Sequence, residues 1–200
     1  VAWTASSDGG AIAPHRPDVG PATEEHAMQT TTTIRLRPLR RGETDVVDAV
    51  FAGMSDESRH LRFHGPRPRL TDAMRRALAD ADGSRHVALV AEVVEGDDVA
   101  PVGLAHLIAL DGETAEIAFS VVDAWHGRGI GRRLVTALRH RAVDLGYHRL
   151  LAHVMVGNKA AQALLWSVLP DGVARRVGMA HEFTAQLPPR PSTVPVTLAV

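Results

Sequence analysis

The chain has no cysteine among its 200 residues. Disulfides, a thiolate nucleophile and cysteine-ligated zinc are thereby excluded, and a reducing, cytoplasmic setting is the expectation. It also lacks an excess of charge. Lys and Arg number 22 against 23 Asp and Glu, a net charge of −1 at pH 7, so no bulk field draws it to nucleic acid or an anionic membrane. No apolar run approaches the roughly 20 residues of a membrane span. Tyrosine occurs once, at Tyr147. There is no G-x-S-x-G, and the His181-Glu182 pair lacks the second histidine of a zinc-protease helix. His60 and His64 stand four apart on a predicted helix but have no third ligand in view, so no metal site is expected.

What is present divides into one domain and two tails. Residues 1–32 mix Gly, Pro, Ser, Thr and Ala with few large apolar side chains, a composition expected to be disordered. They carry no basic start followed by an apolar core, as a secretory signal would. Met28 is a candidate translation start just before the first regular segment. Residues 33–187 carry the periodic patterns of a folded domain, and the proline-rich 188–200 are expected to be irregular.

Within the domain, Ile34–Leu39 alternates like a half-buried strand. Val46, Val47, Val50 and Phe51 then fall at helical spacing, Ser55–Phe63 reads as a second helix, and Thr71 can cap a third. His86–Val94, Pro101–Leu110 and Thr114–Val122 are apolar strands joined by short turns, an antiparallel meander. A helix follows to Leu145, with Val135, Leu138, Ala142 and Leu145 as its apolar stripe and Gly146 as its stop. A strand at His148–Val156, a helix from Asn158 and two weaker strands complete the pattern. The expected class is α+β: a mixed, mostly antiparallel central sheet flanked by helices.

The chemistry-bearing stretch is WHGRGIGRRL, Trp125–Leu134. A helix start leaves main-chain N–H groups without partners, and this one offers no Ser, Thr, Asp or Asn to cap them. Its glycines let a ligand approach the backbone. Such a start, with Arg128, Arg132 and Arg133 nearby, suits a phosphate or pyrophosphate. No lysine follows as in a Walker loop, and neither Arg132 nor Leu134 supplies the last glycine of a dinucleotide fingerprint. The plain alternative is a glycine turn selected for its backbone angles alone.

DAWHGRGIGRRL resembles motif A of the GCN5-related N-acetyltransferases, Gln/Arg-x-x-Gly-x-Gly/Ala, as His126, Gly127, Arg128, Gly129, Ile130 and Gly131. His126 departs from the usual Gln or Arg. VGNKAAQALLW resembles motif B, Asn-x-x-Ala, as Asn158 and Ala161, and the order of elements from Ile34 to Leu187 matches too. The resemblance implies acetyl-CoA as co-substrate, lying where the strand before motif A splays from the strand after it. Pantetheine would pair with backbone near Val121 and Val122, and the pyrophosphate would rest on the amides from Arg128 to Arg133, Ile130, Gly131 and Arg132 among them. Asn158 would face the pantetheine or substrate; equally, it can simply cap its helix.

An amine must be neutral to attack a thioester. From a lysine-like pKa of about 10.4, deprotonation at neutral pH costs roughly 4 to 5 kcal/mol, so a base in reach is needed. Alternation puts Glu116, Ala118 and Ser120 on one face of their strand. The resemblance implies that Glu116, in an A-E-x-A-F segment among apolar neighbours, is this base; a solvated strand carboxylate is the alternative. Members with a tyrosine on the motif B helix use it as acid for the leaving thiolate, and here that place is Leu165. With no cysteine available, transfer must be direct, within a ternary complex. The expected activity is transfer of an acetyl group to a primary amine, on a protein lysine or a small molecule. A non-catalytic acyl-CoA-binding regulatory module is the alternative. Ser55–Phe63 leans toward bacterial protein-lysine acetyltransferases, and Arg62, Phe63 and His64 fall where the family roofs its acceptor site. The sequence selects neither the acceptor nor an oligomeric state.

Overall fold

The computed structural model describes residues 32–190. The expectations for residues 1–31, including Met28, and for 191–200 lie outside the described residues. The chain runs β1 (Thr33–Pro38), α1 (Thr44–Ala52), α2 (Asp56–Phe63), α3 (Asp72–Ala79), β2 (His86–Glu95), β3 (Asp98–Ala109) and β4 (Thr114–Val121). A 3-10 turn, Asp123–Trp125, leads to α4 (Ile130–Asp144), β5 (Arg149–Met155), α5 (Lys159–Val168), β6 (Val173–Val177) and β7 (Ala180–Gln186). The seven strands form one sheet in the order β1-β2-β3-β4-β5-β7-β6. Every neighbouring pair is antiparallel except β4–β5, as the α+β reading requires.

Local chemistry sets most of the boundaries. Ser55 caps α2 by accepting from the Ser58 N–H, and Thr71 caps α3 by accepting from Met74. Gly146, at φ 85°, ends α4: its N–H reaches Val143 O at 3.0 Å and that of Tyr147 reaches Ala142 O at 3.0 Å. This is the paired bonding of a left-handed glycine stop. Tyr147 is buried directly behind it, a packing residue. Strand β3 begins three residues earlier than its apolar run. Pro101 would ordinarily interrupt a central ladder, but it pairs with Glu92 at a register shift between Ala91 and Glu92, where a missing N–H is tolerated.

Each face of the sheet carries its own core. Leu107, Ile117 and Leu150 pack beneath α4, through Leu134, Val135 and Leu138, and beneath α5, through Leu165. On the opposite face Ala88, Val90 and Leu104 are covered by Val46, Val47 and Val50 of α1 with Leu70 and Ala79. The β3–β4 register puts Glu116, Ala118 and Ser120 opposite Ile108, His106 and Leu104, so this polar-bearing edge of β4 shares the face covered by α1 and α2.

One feature of the sheet positions everything below. The parallel β4–β5 ladder holds only three pairs, from Thr114↔Arg149 to Glu116↔Leu151, while the strands continue to Val121 and Met155. Past Glu116 the two strands are no longer bonded to each other. α4 and α5 meet below this opening. A Cβ on Gly131 would stand 2.7 Å from Leu164 Cδ1, the tip of a side chain that would have to turn aside to admit it. Gly131→Val should therefore overpack the contact and lower stability by about 1–3 kcal/mol in urea unfolding.

Candidate active site

The opening between β4 and β5 is a cleft of about 910 Å³. One end is walled by Trp125, His126, Gly127, Gly129, Gly131 and Arg132, the other by Arg62, Phe63, Glu116 and His153, with Asn158 and Leu164 of α5 along one side. The main chain supplies much of its polarity. Val122 N–H bonds to Val102 O at 2.8 Å, and antiparallel alternation then turns the main-chain groups of Phe119 and Val121 away from β3, toward the opening. Of the two residues expected to face pantetheine, Val121 lines the cleft. Val122 does not: its N–H is engaged by β3 and its side chain abuts Gly53. The Val121 carbonyl is itself held by His126 Nε2 at 2.9 Å. A carbonyl only accepts, so His126 carries its proton on Nε2. The histidine that stands in for Gln or Arg thus ties the end of β4 to the glycine loop.

The three glycines have different tasks. Gly127 and Gly129 sit at φ 74° and 75°, with open space where a Cβ would stand. Gly131 provides the helix contact described above. The left-handed conformations alternate with Arg128, which turns successive N–H groups to one side, a concavity suited to an anion. From Gly127 to Arg132 no main-chain N–H has a hydrogen-bond partner among the described residues, and α4 has no side-chain cap. Arg133 departs from expectation: its N–H bonds Gly129 O at 3.1 Å, and its guanidinium reaches Ile34 O at 2.9 Å. The open amides therefore end one residue before it. The Arg128 side chain is stacked 4.3 Å from the Trp125 ring rather than lining the cleft; its N–H remains in the open run.

Helix α2 is clamped to this loop. Asp123 Oδ2 accepts from Ser55 N–H at 3.1 Å, and Asp123 N–H bonds Gly53 O at 3.1 Å. Burial alone would push the Asp123 carboxyl up, but hydrogen bonds from Ser55 and Ser58 and the neighbouring His126 outweigh it and hold it below the usual range. The clamp places Arg62 against the acceptor end of the cleft. Arg62 is half-open to the cleft yet ringed by protein, and burial pulls its guanidinium down to about 10 despite the nearby Glu116 carboxylate. Behind it lies His106, buried and lowered well below an ordinary histidine by burial first, then by Arg62 and His86. Hydrogen-bond logic orders this chain. His86 Nδ1 faces Asp80 O at 3.1 Å and must donate, so His86 Nε2 accepts from His106 Nδ1 at 3.0 Å. His106 Nε2 is left as a buried acceptor with no partner among the described residues. Arg62 and His106 share a second cavity of about 20 Å³, room for one water between them.

Glu116 projects into the cleft, but its surroundings are not the apolar ones expected. His153 Nδ1 lies 3.0 Å from Glu116 Oε1, and Arg62 acts on the same carboxylate. His153 escaped the sequence reading because it looks like one polar residue in an apolar strand; the only signal was its alternation with Leu151 and Met155. Asn158 caps α5, accepting from Ala161 N–H at 3.0 Å, and also lines the cleft. Leu165, at the place of the family's tyrosine, is fully buried beneath β4 and β5. Trp166 packs edge-on against Phe183, 4.7 Å away, and is no part of the cleft.

Comparison with known proteins is decisive at this point. Residues 54–165 match the model of the Acetyltransferase (GNAT) family. The chain belongs to that family. It is an N-acetyltransferase by descent, and the family uses acetyl-CoA. A Pseudomonas aeruginosa protein named acetyltransferase PA5475 is 26% identical over 132 residues, 66% of this chain and 71% of that one. The GNAT domain of S. lividans PAT shares the fold with a TM-score of 0.69 at 22% identity, over 77% of this chain and 90% of that one. A cAMP-binding acyltransferase from Mycobacterium smegmatis matches with a TM-score of 0.53 and 27% identity, over 81% of this chain but 46% of its own. The matched stretch begins just after α1 and ends within α5, and of the residues lining the cleft Ser167 alone lies outside it.

The clamp on the GNAT loop has a pH signature. Because the native Asp123 pKa is depressed, its stabilisation is complete above the unfolded carboxyl pKa of about 3.9 and is lost as pH falls through the native value. Asp123→Ala should destabilise the fold by about 1 kcal/mol at neutral pH, allowing for partial exposure. The gap between mutant and wild type in chemical unfolding should shrink in acid.

Proposed function

We propose that this protein transfers the acetyl group of acetyl-CoA directly to a primary amine, borne on a protein lysine or a small molecule, with Glu116 as general base. The observation that carries the reading is the run of open main-chain N–H groups from Gly127 to Arg132 at one end of a cleft whose other end holds the Glu116 carboxylate. A small anion such as sulfate would fit the same nest; a pyrophosphate with a chain long enough to reach Glu116 uses the entire cleft. The open amides and the absent Cβ atoms of Gly127 and Gly129 fit phosphate oxygens, and the main-chain groups of Phe119 with the N–H of Val121, whose carbonyl His126 already holds, fit an amide-bearing arm. Acetyl-CoA supplies the thioester carbonyl; this chain holds the cofactor, orients the amine and takes its proton at Glu116. The cleft wall on α5 offers Ala160, Ala161 and Leu164, with no acid at Leu165. A thiol pKa of about 8.5 makes the thiolate a tolerable leaving group without one. Among the described residues no helix is long and apolar enough to cross a membrane.

Calorimetry tests the cradle. Wild type should bind acetyl-CoA with a Kd on the order of micromolar. Gly129→Glu, which sets an anion in the nest and a side chain at φ 75°, should abolish binding while circular dichroism stays native. Absence of wild-type binding would overturn the proposal. Glu116→Gln tests the base: kcat should fall by about 100-fold or more while affinity for acetyl-CoA is kept. Unchanged turnover would remove Glu116 from the mechanism.

A further inference from the structure

Glu116 and Leu151 form the last pair of the β4–β5 ladder. His153 is two residues further along β5, on the same face as Leu151, where the strands have begun to part. Its ring crosses that gap, with Nδ1 3.0 Å from Glu116 Oε1. A side-chain bond thus spans the two strands just past their last main-chain pair. The contacts continue across the sheet. His153 pairs with Glu182 in the β5–β7 register, Nε2 lies 3.7 Å from Glu182 Oε2, and Arg175 of β6 reaches the other Glu182 oxygen at 3.4 Å. Arg175, Glu182, His153 and Glu116 therefore form one line of polar side chains from the outer edge of the sheet to the cleft, on four neighbouring strands.

We propose that His153 is a positioning residue for Glu116, an inference that rests on Glu116 being the base. An ionised carboxylate only accepts, so the 3.0 Å bond puts the imidazole proton on Nδ1. That bond fixes Oε1 and leaves Oε2, which has no hydrogen-bond partner among the described residues, free to receive the amine proton in the cleft. Glu182 Oε2, 3.7 Å from Nε2, is too far for a hydrogen bond. The arrangement is that of a base oriented by a second group. The step balances simply: as the amine nitrogen bonds the thioester carbonyl carbon its N–H proton moves to Glu116 Oε2, the C–S bond breaks and the sulfur leaves as a thiolate that solvent protonates, and His153 keeps its own Nδ1 proton throughout.

The full chain, a lysine-containing peptide and a panel of polyamines as acceptors test this. His153→Ala should lower kcat by about tenfold or more, since a misaimed base loses rate steeply, with KM for acetyl-CoA within about twofold. His153→Asn places an amide N–H near the position of Nδ1 and should recover most of the loss; a purely structural role predicts no such rescue. In a Glu116→Gln background, His153→Ala should cost nothing further. Wild-type kcat in His153→Ala, or an equal loss in both backgrounds, would overturn the proposal. If Glu116→Gln itself kept full turnover, the base assignment would be the part that failed. An acceptor-free readout runs alongside. Nitrogen-15 NMR of the histidine rings should show a protonated, slowly exchanging Nδ1 at His153 that is lost in Glu116→Ala. An unprotonated Nδ1 in the wild type would also overturn it.

Discussion

The early end of the β4–β5 ladder governs the rest of the molecule. Main-chain N–H and C=O groups inside a protein require partners, and two adjacent strands normally provide them for each other. Here they do so for three residue pairs and then separate. The groups this frees on β4 face a cleft instead of a neighbouring strand. The same separation opens the route from the glycine loop to Glu116, so one interruption in the sheet creates both the long wall of the site and the line along which a cofactor can lie.

Several interactions keep that interruption from closing or spreading. Below it, Gly131 lets α4 seat closely against Leu164 of α5. Above it, Asp123 ties the α1–α2 connection to the glycine loop, and His126 ties the end of β4 to the same loop. At its narrow end, His153 bridges to Glu116. Each is a single polar bond or a single missing side chain, at a place where the regular hydrogen bonding of the sheet has stopped. Buried His106, behind Arg62 and bonded to His86, belongs with them: it is held well below an ordinary histidine by its burial and leaves Nε2 without a partner among the described residues.

Much of this was legible from residue patterns. Period-two and period-3.6 hydrophobicity located all seven strands and five helices, and Ser55, Thr71, Asn158 and Gly146 marked helix ends where the structure has them. The boundaries that moved did so for tertiary reasons. Strand β3 continued through Pro101 because the β2–β3 register shifts there, with Val102 the extra residue on β3, and a missing N–H is tolerated at such a bulge. Around the glycine loop, the run of open amides was readable from the missing cap, but its limit was not. Arg133 drops out because the first intrahelical bond reaches it from Gly129, and Val122 drops out because β3 claims its N–H.

By itself the sequence determined the local chemistry: a helix start without a cap, glycines where left-handed turns are needed, a carboxylate on an alternating strand, and no cysteine or α5 tyrosine to share the work. These are properties of neighbours along the chain, set by covalent geometry and hydrogen bonding within a few residues. Only the tertiary structure decided which side chains meet. Glu116 and His153 are 37 residues apart and come together through the register of one short parallel ladder. Arg62 reaches the same cleft through a clamp between Asp123 and Ser55. A one-residue slip of a strand reverses which face every side chain occupies, so contacts of this kind depend on how the whole sheet pairs and packs, which no local pattern encodes.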